Sequence, residues 1–159
     1  MPTTVPCLWF DGQAEQAAEH YIAIFPNSTI LGVTHYGPGA PQPEGSVLTV
    51  EFSLDGQRYV GLNGGPQFTF SEAITFQILC ADQDEVDHYW QRLTDGGEEG
   101  PCGWLKDRFG VSWQVVPTEL TELIQDDDPE RAQRVMQALF SMGKIDIAEL
   151  RRAAEGVSA

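Results

Sequence analysis

The stretch VLTVEFSLDGQRYVGLN, residues 47–63, decides the fold because it predicts a β-hairpin. Residues 47–54 alternate between apolar and polar side chains, which is typical of a strand with one face buried. Asp55-Gly56 then gives a strong signal for a two-residue turn. Residues 57–63 return as the partner strand, so the stretch predicts two neighbouring antiparallel strands.

The residues before this hairpin predict a strand, a helix and a further strand. Residues 5–10 (VPCLWF) have the pattern of a short strand, and residues 13–25 space their apolar side chains along one helical face. That stripe consists of Ala14, Ala17, Ala18, Tyr21, Ile22 and Phe25. Residues 29–36 predict the next strand, and residues 37–45 are too rich in proline and glycine for anything but a loop.

The same order of elements follows a second time. A strand is predicted over 73–80, a helix over 82–93, a very short strand near 98–101 and a hairpin over 102–106 and 111–116. The chain therefore contains a duplicated βαβββ repeat, the first over about 3–64 and the second over about 72–117. The predicted fold class is α+β in a single domain over 1–159.

A helical tail follows the two repeats, over about 118–156. Pro117 or Thr118 lies near the start of its first helix, and Asp128 with Pro129 gives a cap followed by proline at the first helical position. A third short helix is predicted in the stretch KIDIAELRRAAEG. Met136, Leu139 and Phe140 are expected in the core rather than in a functional site.

Composition and charge exclude several classes of partner. The chain has 159 residues, a net charge of −15 and a pI near 4.3, so nucleic acid and anionic membrane surfaces are poor partners. No run approaches the roughly 18 apolar residues of a membrane span. The first residues, MPTTVPCLWFDG, do not have the pattern of a secretory signal, so a cytoplasmic protein is expected. The three cysteines have no CxxC spacing, which argues against a disulfide framework or a cysteine zinc site.

Alternation gives three of the predicted strands a polar second face. It consists of Thr49, Glu51 and Ser53 in the first repeat, and of Thr75, Gln77, Ser112 and Gln114 in the second. An antiparallel sheet often exposes one such face to solvent. The alternation alone therefore allows either an ordinary solvated face or the wall of a ligand cavity.

Four longer stretches carry a resemblance to a known family: FDGQAEQAAEHYIAIFPNS, VLTVEFSLDGQ, LNGGPQFTFSEAITFQILC and CGWLKDRFGVSWQVVP. With the tail they resemble the vicinal oxygen chelate superfamily, which has the glyoxalase and bleomycin-resistance fold. The chain is most similar to its PhnB-like branch, described as demethylubiquinone methyltransferase-like. The resemblance implies two cupped sheets with helices outside, a ligand cavity inside, and a homodimer.

The resemblance also raises the question of a metal. It implies Cys7, Thr75 and Gln114 at the positions of metal ligands, with Tyr59 or Gly61 as the fourth. These are a weak set for a divalent ion, which prefers imidazole, carboxylate or thiolate. His20 and His88 are expected to face solvent, and His35 stands alone. No cofactor is expected, and a divalent metal is disfavoured without being excluded.

The methyltransferase description has equally little support in the sequence. An S-adenosylmethionine site is expected to show a Gly-rich turn between a strand and a helix. Gly64-Gly65 leads from one strand towards another, and the GGEEG stretch at 96–100 follows a helix. Neither has the context of a nucleotide-binding loop.

The candidate site residues follow from these faces and from the resemblance. Glu51 is the candidate catalytic base, or else an ordinary solvated strand glutamate. Small-molecule binding is predicted for Cys7, Trp9, Thr49, Tyr59, Asn63, Thr75, Gln77, Trp104 and Gln114. The favoured function is therefore metal-free binding of a small molecule. Two alternatives are an enzyme acting on a small oxygenated or aromatic substrate, and a partner-binding dimer whose cavity is vestigial.

Overall fold

The computed structural model describes residues 1–157, which divide into two compact units. Unit 1 comprises residues 1–70 and unit 2 begins at residue 71. Each unit holds one four-stranded mixed sheet, and the described residues contain five helices. The predicted α+β class is confirmed.

Unit 1 contains β1 to β4 and helix α1. Their bounds are Cys7–Phe10 for β1, Ala14–Ile24 for α1, Thr29–His35 for β2, Val47–Leu54 for β3 and Gln57–Asn63 for β4. The strand order is β1-β4-β3-β2, with β1 parallel to β4 and the other neighbours antiparallel. The hairpin of β3 and β4 has the predicted bounds. Strand β1 begins after Pro6, which has no N–H for the ladder, although its carbonyl accepts a hydrogen bond from Val60.

Helix α1 packs on one face of the unit 1 sheet through small residues. Its buried residues are Ala14, Ala17, Ala18, Tyr21 and Ile24. The predicted stripe included Ile22 and Phe25, which are only half-buried, because the contact continues three residues beyond Tyr21 to Ile24. Gly61 of β4 lies under this helix, where an added Cβ would come within 3.1 Å of the Ala14 Cβ. The small residues thus let helix and sheet approach closely.

Unit 2 repeats this topology with shorter strands. Its elements are β5 at Phe76–Cys80, α2 at Gln83–Thr94, β6 at Glu98–Glu99, β7 at Trp104–Lys106 and β8 at Ser112–Pro117. The order β5-β8-β7-β6, with β5 parallel to β8, matches unit 1 strand for strand, which confirms the duplication. The predicted start of β5 at residue 73 is wrong. Residues 72–74 form a turn instead, and Ile74, expected on the apolar face, is 71% exposed.

The tail of unit 2 forms α3 at Thr118–Ile124, α4 at Pro129–Phe140 and α5 at Ile147–Glu155. The Asp128 cap with Pro129 at the first helical position is confirmed. The core of the tail contains Leu139, with Met136 packed against it, whereas Phe140 is 66% exposed. The prediction of a core role for Phe140 is therefore wrong, because the buried stripe of α4 runs from Val135 to Leu139, four residues on.

None of the helices in residues 1–157 is both long enough and apolar enough to span a bilayer.

Candidate functional site

A row of uncharged side chains crosses the helix-free face of the unit 2 sheet. Gln114 of β8 lies opposite Trp104 of β7 and opposite Gln77 of β5 in the strand register. Residues that are opposite each other in neighbouring strands point to the same face, so these three side chains stand side by side. The Gln77 Nε2 donates to the Gln114 Oε1 at 3.2 Å, and the Gln114 Nε2 donates to the Thr75 hydroxyl. Both ends of the Gln114 carboxamide are therefore satisfied within the face.

A second, charged row runs beside the first. Lys106 of β7 lies opposite Glu98 of β6 on one side and opposite Ser112 of β8 on the other. The Lys106 Nζ forms an ion pair with Glu72 at 2.6 Å. Ser112 is only 2% exposed, and its hydroxyl has no hydrogen-bond partner within the part of the chain that the structure describes. A buried polar group without a partner costs free energy, so this hydroxyl is a position that a ligand or a water can satisfy.

Trp104 of the first row and all three residues of the charged row border a cavity of about 370 Å³ that lies wholly in unit 2. Its size is at the lower end of the range for small-molecule sites, about 300–1,000 Å³. It has an aromatic wall, four charged side chains and the unpartnered hydroxyl. The lining consists of Glu72, Glu98, Glu99, Gly100, Pro101, Cys102, Trp104, Leu105, Lys106 and Ser112.

A tight turn places Cys102 in the lining of this cavity. Cys102 and Gly103 both have positive φ, +58° and +84°, and the Trp104 N–H donates to the Pro101 carbonyl at 3.0 Å. Two consecutive left-handed residues closed by this bond are typical of a type I′ turn. The Cys102 N–H also donates to the Met142 carbonyl at 2.8 Å, which ties the turn to the tail.

The predicted residues of unit 1 separate onto two sides of its sheet. Cys7, Trp9, Thr49 and Glu51 lie on the helix-free side. The Trp9 Nε1 donates to the Gly65 carbonyl at 2.8 Å. Glu51 is half-buried and forms an ion pair with Arg58, and the hydroxyls of Thr34 and Thr49 are hydrogen-bonded to each other. The polar groups of this face are largely paired with one another.

Tyr59 and Asn63 lie on the other side, towards α1, and both are buried. The ring of Tyr59 stacks on Phe52 with centroids 5.5 Å apart, and burial raises the pKa of its phenol. The Asn63 Oδ1 accepts from the Ala14 N–H at 2.9 Å, and its Nδ2 donates to the Val47 carbonyl at 3.1 Å. Asn63 thereby joins the first turn of α1 to β3, an internal role for its carboxamide.

The cysteines do not offer an activated nucleophile. Partial burial raises the pKa of the Cys7 thiol, and burial with the nearby Glu85 and Asp82 carboxylates raises that of Cys80 to about 12. A thiol is a nucleophile as its thiolate, so raised pKa values leave little of the reactive form. All three cysteines are free.

The donor set implied by the family resemblance does not fit a divalent metal. Cys7 and Tyr59 lie on opposite faces of the unit 1 sheet, and in unit 2 the oxygens of Thr75 and Gln114 are engaged in hydrogen bonds. Within residues 1–157, no three His, Cys, Asp or Glu side chains converge as a metal site would require. His88 and His35 are exposed, whereas His20, which was expected to face solvent, is half-buried.

Sequence reasoning did not single out Glu72, Glu98, Lys106 or Ser112 as site residues. Ser112 was placed correctly on the polar face, but its burial was not predicted. The signal for the charged row lies in the pairing of β6 with β7, and β6 has only two residues. So short a strand carries almost no periodicity, which is why the sequence did not align Glu98 with Lys106.

Comparisons with known proteins agree with this topology. The profile of the 3-demethylubiquinone-9 3-methyltransferase family matches residues 2–116, which leaves most of the helical tail outside the match. A Bacillus cereus structure described as "Putative 3-demethylubiquinone-9 3-methyltransferase, PhnB protein" is 29% identical. It covers 74% of this chain and 100% of its own, with a TM-score of 0.66. No curated protein matches the chain.

Two more distant structures share the fold alone. A Pseudomonas aeruginosa protein is 18% identical, covers 74% of this chain and 98% of its own, and has a TM-score of 0.61. The monoclinic form of the fosfomycin resistance protein FosX from Listeria monocytogenes is 19% identical. It covers 79% of this chain and 98% of its own, with a TM-score of 0.51.

Proposed function

The chain belongs to the 3-demethylubiquinone-9 3-methyltransferase family, and we propose that it is a small-molecule binding protein of the glyoxalase and bleomycin-resistance superfamily. Its ligand occupies the cavity beside the helix-free face of the unit 2 sheet. The family match and the fold shared with the FosX structure both fit this superfamily.

The cavity against Trp104 is the observation that carries the proposal. An aromatic wall with a few convergent polar groups is the usual composition of a small-molecule site. Here Trp104 of β7 is the aromatic wall, and Lys106 of the same strand and Ser112 of the neighbouring strand are polar groups of the lining. Because each side chain is placed by a strand and not by a loop, the wall is formed before the ligand arrives, which reduces the entropic cost of binding.

The binding function does not use a cofactor. The residues implied as metal ligands are neutral or lie on different faces, as described above. The methyltransferase chemistry in the family's description has no Gly-rich turn to support it: the connection from β1 to α1 holds one glycine, Gly12, and that from β5 to α2 is Ala81-Asp82. We therefore do not extend the methyltransferase activity to this chain.

The structure favours binding over catalysis by Glu51. A general base needs a carboxylate that is free to accept a proton from the substrate. Glu51 lies on the helix-free face of unit 1 but is paired with Arg58, which stabilises its charged form. A substrate proton would have to compete with the guanidinium for this carboxylate.

Two further features belong to the proposal. Leu31 and Val33 are exposed on β2, an edge strand, and an apolar edge of this kind is commonly covered by another chain. We therefore propose a homodimer, as the superfamily resemblance implies. Three free cysteines fit a reducing compartment, which supports a cytoplasmic location.

Ligand-observed NMR of a fragment mixture tests the proposed site. We expect saturation transfer to some fragments from the wild type and a clear loss of it with Trp104→Ala, because that substitution removes the aromatic wall. Phe140→Ala is the matched control, since it removes an exposed ring of unit 2 outside the cavity lining. Fragments that bind Trp104→Ala as well as the wild type, or an absence of bound fragments, would contradict the proposal.

A further inference from the structure

We propose that the cavity of unit 2 selects a small organic cation, with an ammonium group at one end and a hydroxyl or carbonyl group at the other. The inference rests on the proposed function, since it names the chemical class of the ligand for the same cavity. Charge, the aromatic wall and the unpartnered hydroxyl each contribute to it.

The charges in the lining favour a cation. The lining contains three carboxylates, those of Glu72, Glu98 and Glu99, and one ammonium, that of Lys106. Glu72 neutralises Lys106 in the ion pair at 2.6 Å, and this pair lowers the pKa of Glu72 and raises that of Lys106, so both stay charged near neutral pH. Two carboxylates lie outside this pair, Glu98 on the face of Lys106 and Glu99 on the opposite face, and a net charge of −15 on the chain adds to the attraction of a cation.

Glu98 is the carboxylate most available to that ligand. It lies on the same face as Lys106 and attracts that ammonium, but it forms no direct ion pair in the described part of the chain. The other remaining carboxylate, Glu99, accepts a hydrogen bond from the Trp90 indole at 3.2 Å. An ammonium group beside Glu98 also lies near the Trp104 ring, whose face attracts cations.

Ser112 provides the second anchor point. It is 2% exposed, lines the cavity, and its hydroxyl is unpartnered within the described residues. The register places it two strands from Glu98, with Lys106 between them. Neighbouring strands are about 4.8 Å apart, so the two anchors are separated by roughly 10 Å. A ligand that reaches both therefore carries its two polar groups at opposite ends of a short apolar body.

An anionic ligand is disfavoured by the same contacts. Its only cationic partner in the lining is Lys106, which is already paired with Glu72. An anion would have to separate that pair and would then lie near the carboxylates of Glu98 and Glu99. Like charges at this distance repel, so the cavity distinguishes the sign of the ligand's charge.

Protection of Cys102 from alkylation by N-ethylmaleimide measures occupancy of the cavity directly. Cys102 lines the cavity, Cys7 is exposed in unit 1 and serves as the internal reference, and the buried Cys80 should not react. Peptide mass mapping separates the three sites. The probes are tyramine, its neutral analogue 4-(2-hydroxyethyl)phenol, and the anionic 3-(4-hydroxyphenyl)propanoate, which share one ring and one phenol group.

We expect tyramine to protect Cys102 at a concentration at least about threefold lower than either analogue, with Cys7 unaffected by all three. Glu98→Gln should remove most of this preference. Glu122→Gln is the matched control: it removes the same charge from an exposed position of unit 2 outside the lining, and should keep the preference.

Ser112→Ala tests the second anchor. Phenethylamine lacks the phenol group of tyramine, and we expect it to protect the wild type more weakly. In Ser112→Ala the two amines should become equal, while the melting temperature stays the same or rises, because a buried unpartnered hydroxyl has been removed. A structural role for Ser112 would instead lower the melting temperature.

The outcomes separate the two proposals. Equal protection by all three probes, or stronger protection by the neutral or anionic probe, would overturn the cation selectivity and leave ligand binding in the cavity intact. A preference for tyramine that persists in Glu98→Gln would also overturn the assignment of its ammonium group. Protection of Cys102 by none of the probes would contradict the cavity as the binding site, and both proposals with it.

Discussion

The two units have the same strand order but use the helix-free faces of their sheets differently. In unit 1 the polar groups of that face pair with each other, as Glu51 does with Arg58 and Thr34 with Thr49. In unit 2 the corresponding face carries Trp104 and the hydrogen-bonded carboxamides beside a cavity. In each sheet, burial against α1 or α2 constrains the side chains of one face. The side chains of the helix-free face are not constrained in this way and can differ between the two units.

The hairpins that close the two sheets differ in a similar way. In unit 1, Asp55-Gly56 joins β3 to β4 by a two-residue turn with φ values of +47° and +90°. In unit 2, Asp107 is 3% exposed and its carboxylate holds the connection from β7 to β8. Its Oδ2 accepts from the Trp113 Nε1 at 2.8 Å, and its Oδ1 accepts from the N–H groups of Phe109 and Val111. One turn depends on backbone conformation, and the other depends on a buried acid.

Asp107→Ala should therefore have the largest effect on stability. It leaves the Trp113 indole and two backbone N–H groups without their acceptor, and we expect the free energy of unfolding to fall by about 3–5 kcal/mol. Asp55→Ala should cost only about 1 kcal/mol, since it places alanine at positive φ in an exposed turn. Urea denaturation followed by tryptophan fluorescence measures both.

Asp107→Asn is the control for this comparison. The amide keeps one oxygen acceptor in the same volume, so its cost should lie between those of Asp107→Ala and Asp55→Ala. Similar losses for Asp107→Ala and Asp55→Ala would show that the buried carboxylate does not organise the unit 2 hairpin.

A glycine in a crowded turn, Gly103, can be compared with a glycine in an open turn, Gly12. Gly103 has a φ of +84°, and an added Cβ would lie 2.7 Å from the Val115 carbonyl oxygen and 2.8 Å from the Ile145 Cδ1. Gly12 has a φ of +80° with open space around it. We expect Gly103→Ala to cost about 2–3 kcal/mol, from strain and crowding together, and Gly12→Ala about 1 kcal/mol, from strain alone.

Thermal unfolding of both glycine variants beside the wild type measures this difference. Equal shifts in the melting temperature would mean that the turn at Cys102 relaxes and does not resist the added methyl group. The fixed position of Cys102 in the cavity lining would then be in doubt as well.

The sequence predicts much of this fold because its local signals agree with one another. The Asp55-Gly56 turn and the alternation in β3 fix the bounds of β3 and β4, and the proline after Asp128 fixes the start of α4. The order of strand, helix and strands occurs twice in the sequence and predicts the duplication, because each copy must bury a similar pattern of apolar side chains. Thr75, Gln77 and Gln114 were assigned to one polar face by alternation, and the structure brings them into contact.

Other features depend on packing that alternation does not reveal. In β4 both faces contain apolar residues, Tyr59 on one and Val60 with Leu62 on the other, so the pattern does not decide which face meets α1. The close approach of Ala14 requires the face with Gly61, and this places Tyr59 and Asn63 in the core. The burial of Ser112 is likewise set by the fold around it and not by its neighbours in sequence.

The smallest predicted effect is a loss of stability at alkaline pH. It concerns the thiol of Cys80 in the unit 2 sheet, which is compared with that of Cys7 in the unit 1 sheet. The pKa of Cys80 is raised to about 12 in the folded protein, whereas an unfolded thiol ionises near 9. Below about pH 9 the folded and the unfolded protein both keep the thiol proton, so the free energy of unfolding does not change with pH through this group. As the pH rises from about 9 towards 12, only the unfolded state loses the proton, so stability falls by at most about 1.4 kcal/mol per pH unit.

Urea denaturation at about pH 8.5 and about pH 10.5 isolates this contribution when the wild type is compared with Cys80→Ala. The variant starts from a lower stability, because it leaves a small cavity, but it should lose less on going to the higher pH. Cys7→Ala is the comparison in unit 1: partial burial raises the pKa of this exposed thiol less than that of Cys80, so its removal should change the pH dependence less than Cys80→Ala does. Identical pH dependence in the wild type and Cys80→Ala would mean that the Cys80 thiol ionises as readily in the folded chain as in the unfolded one, which would contradict its burial at the end of β5.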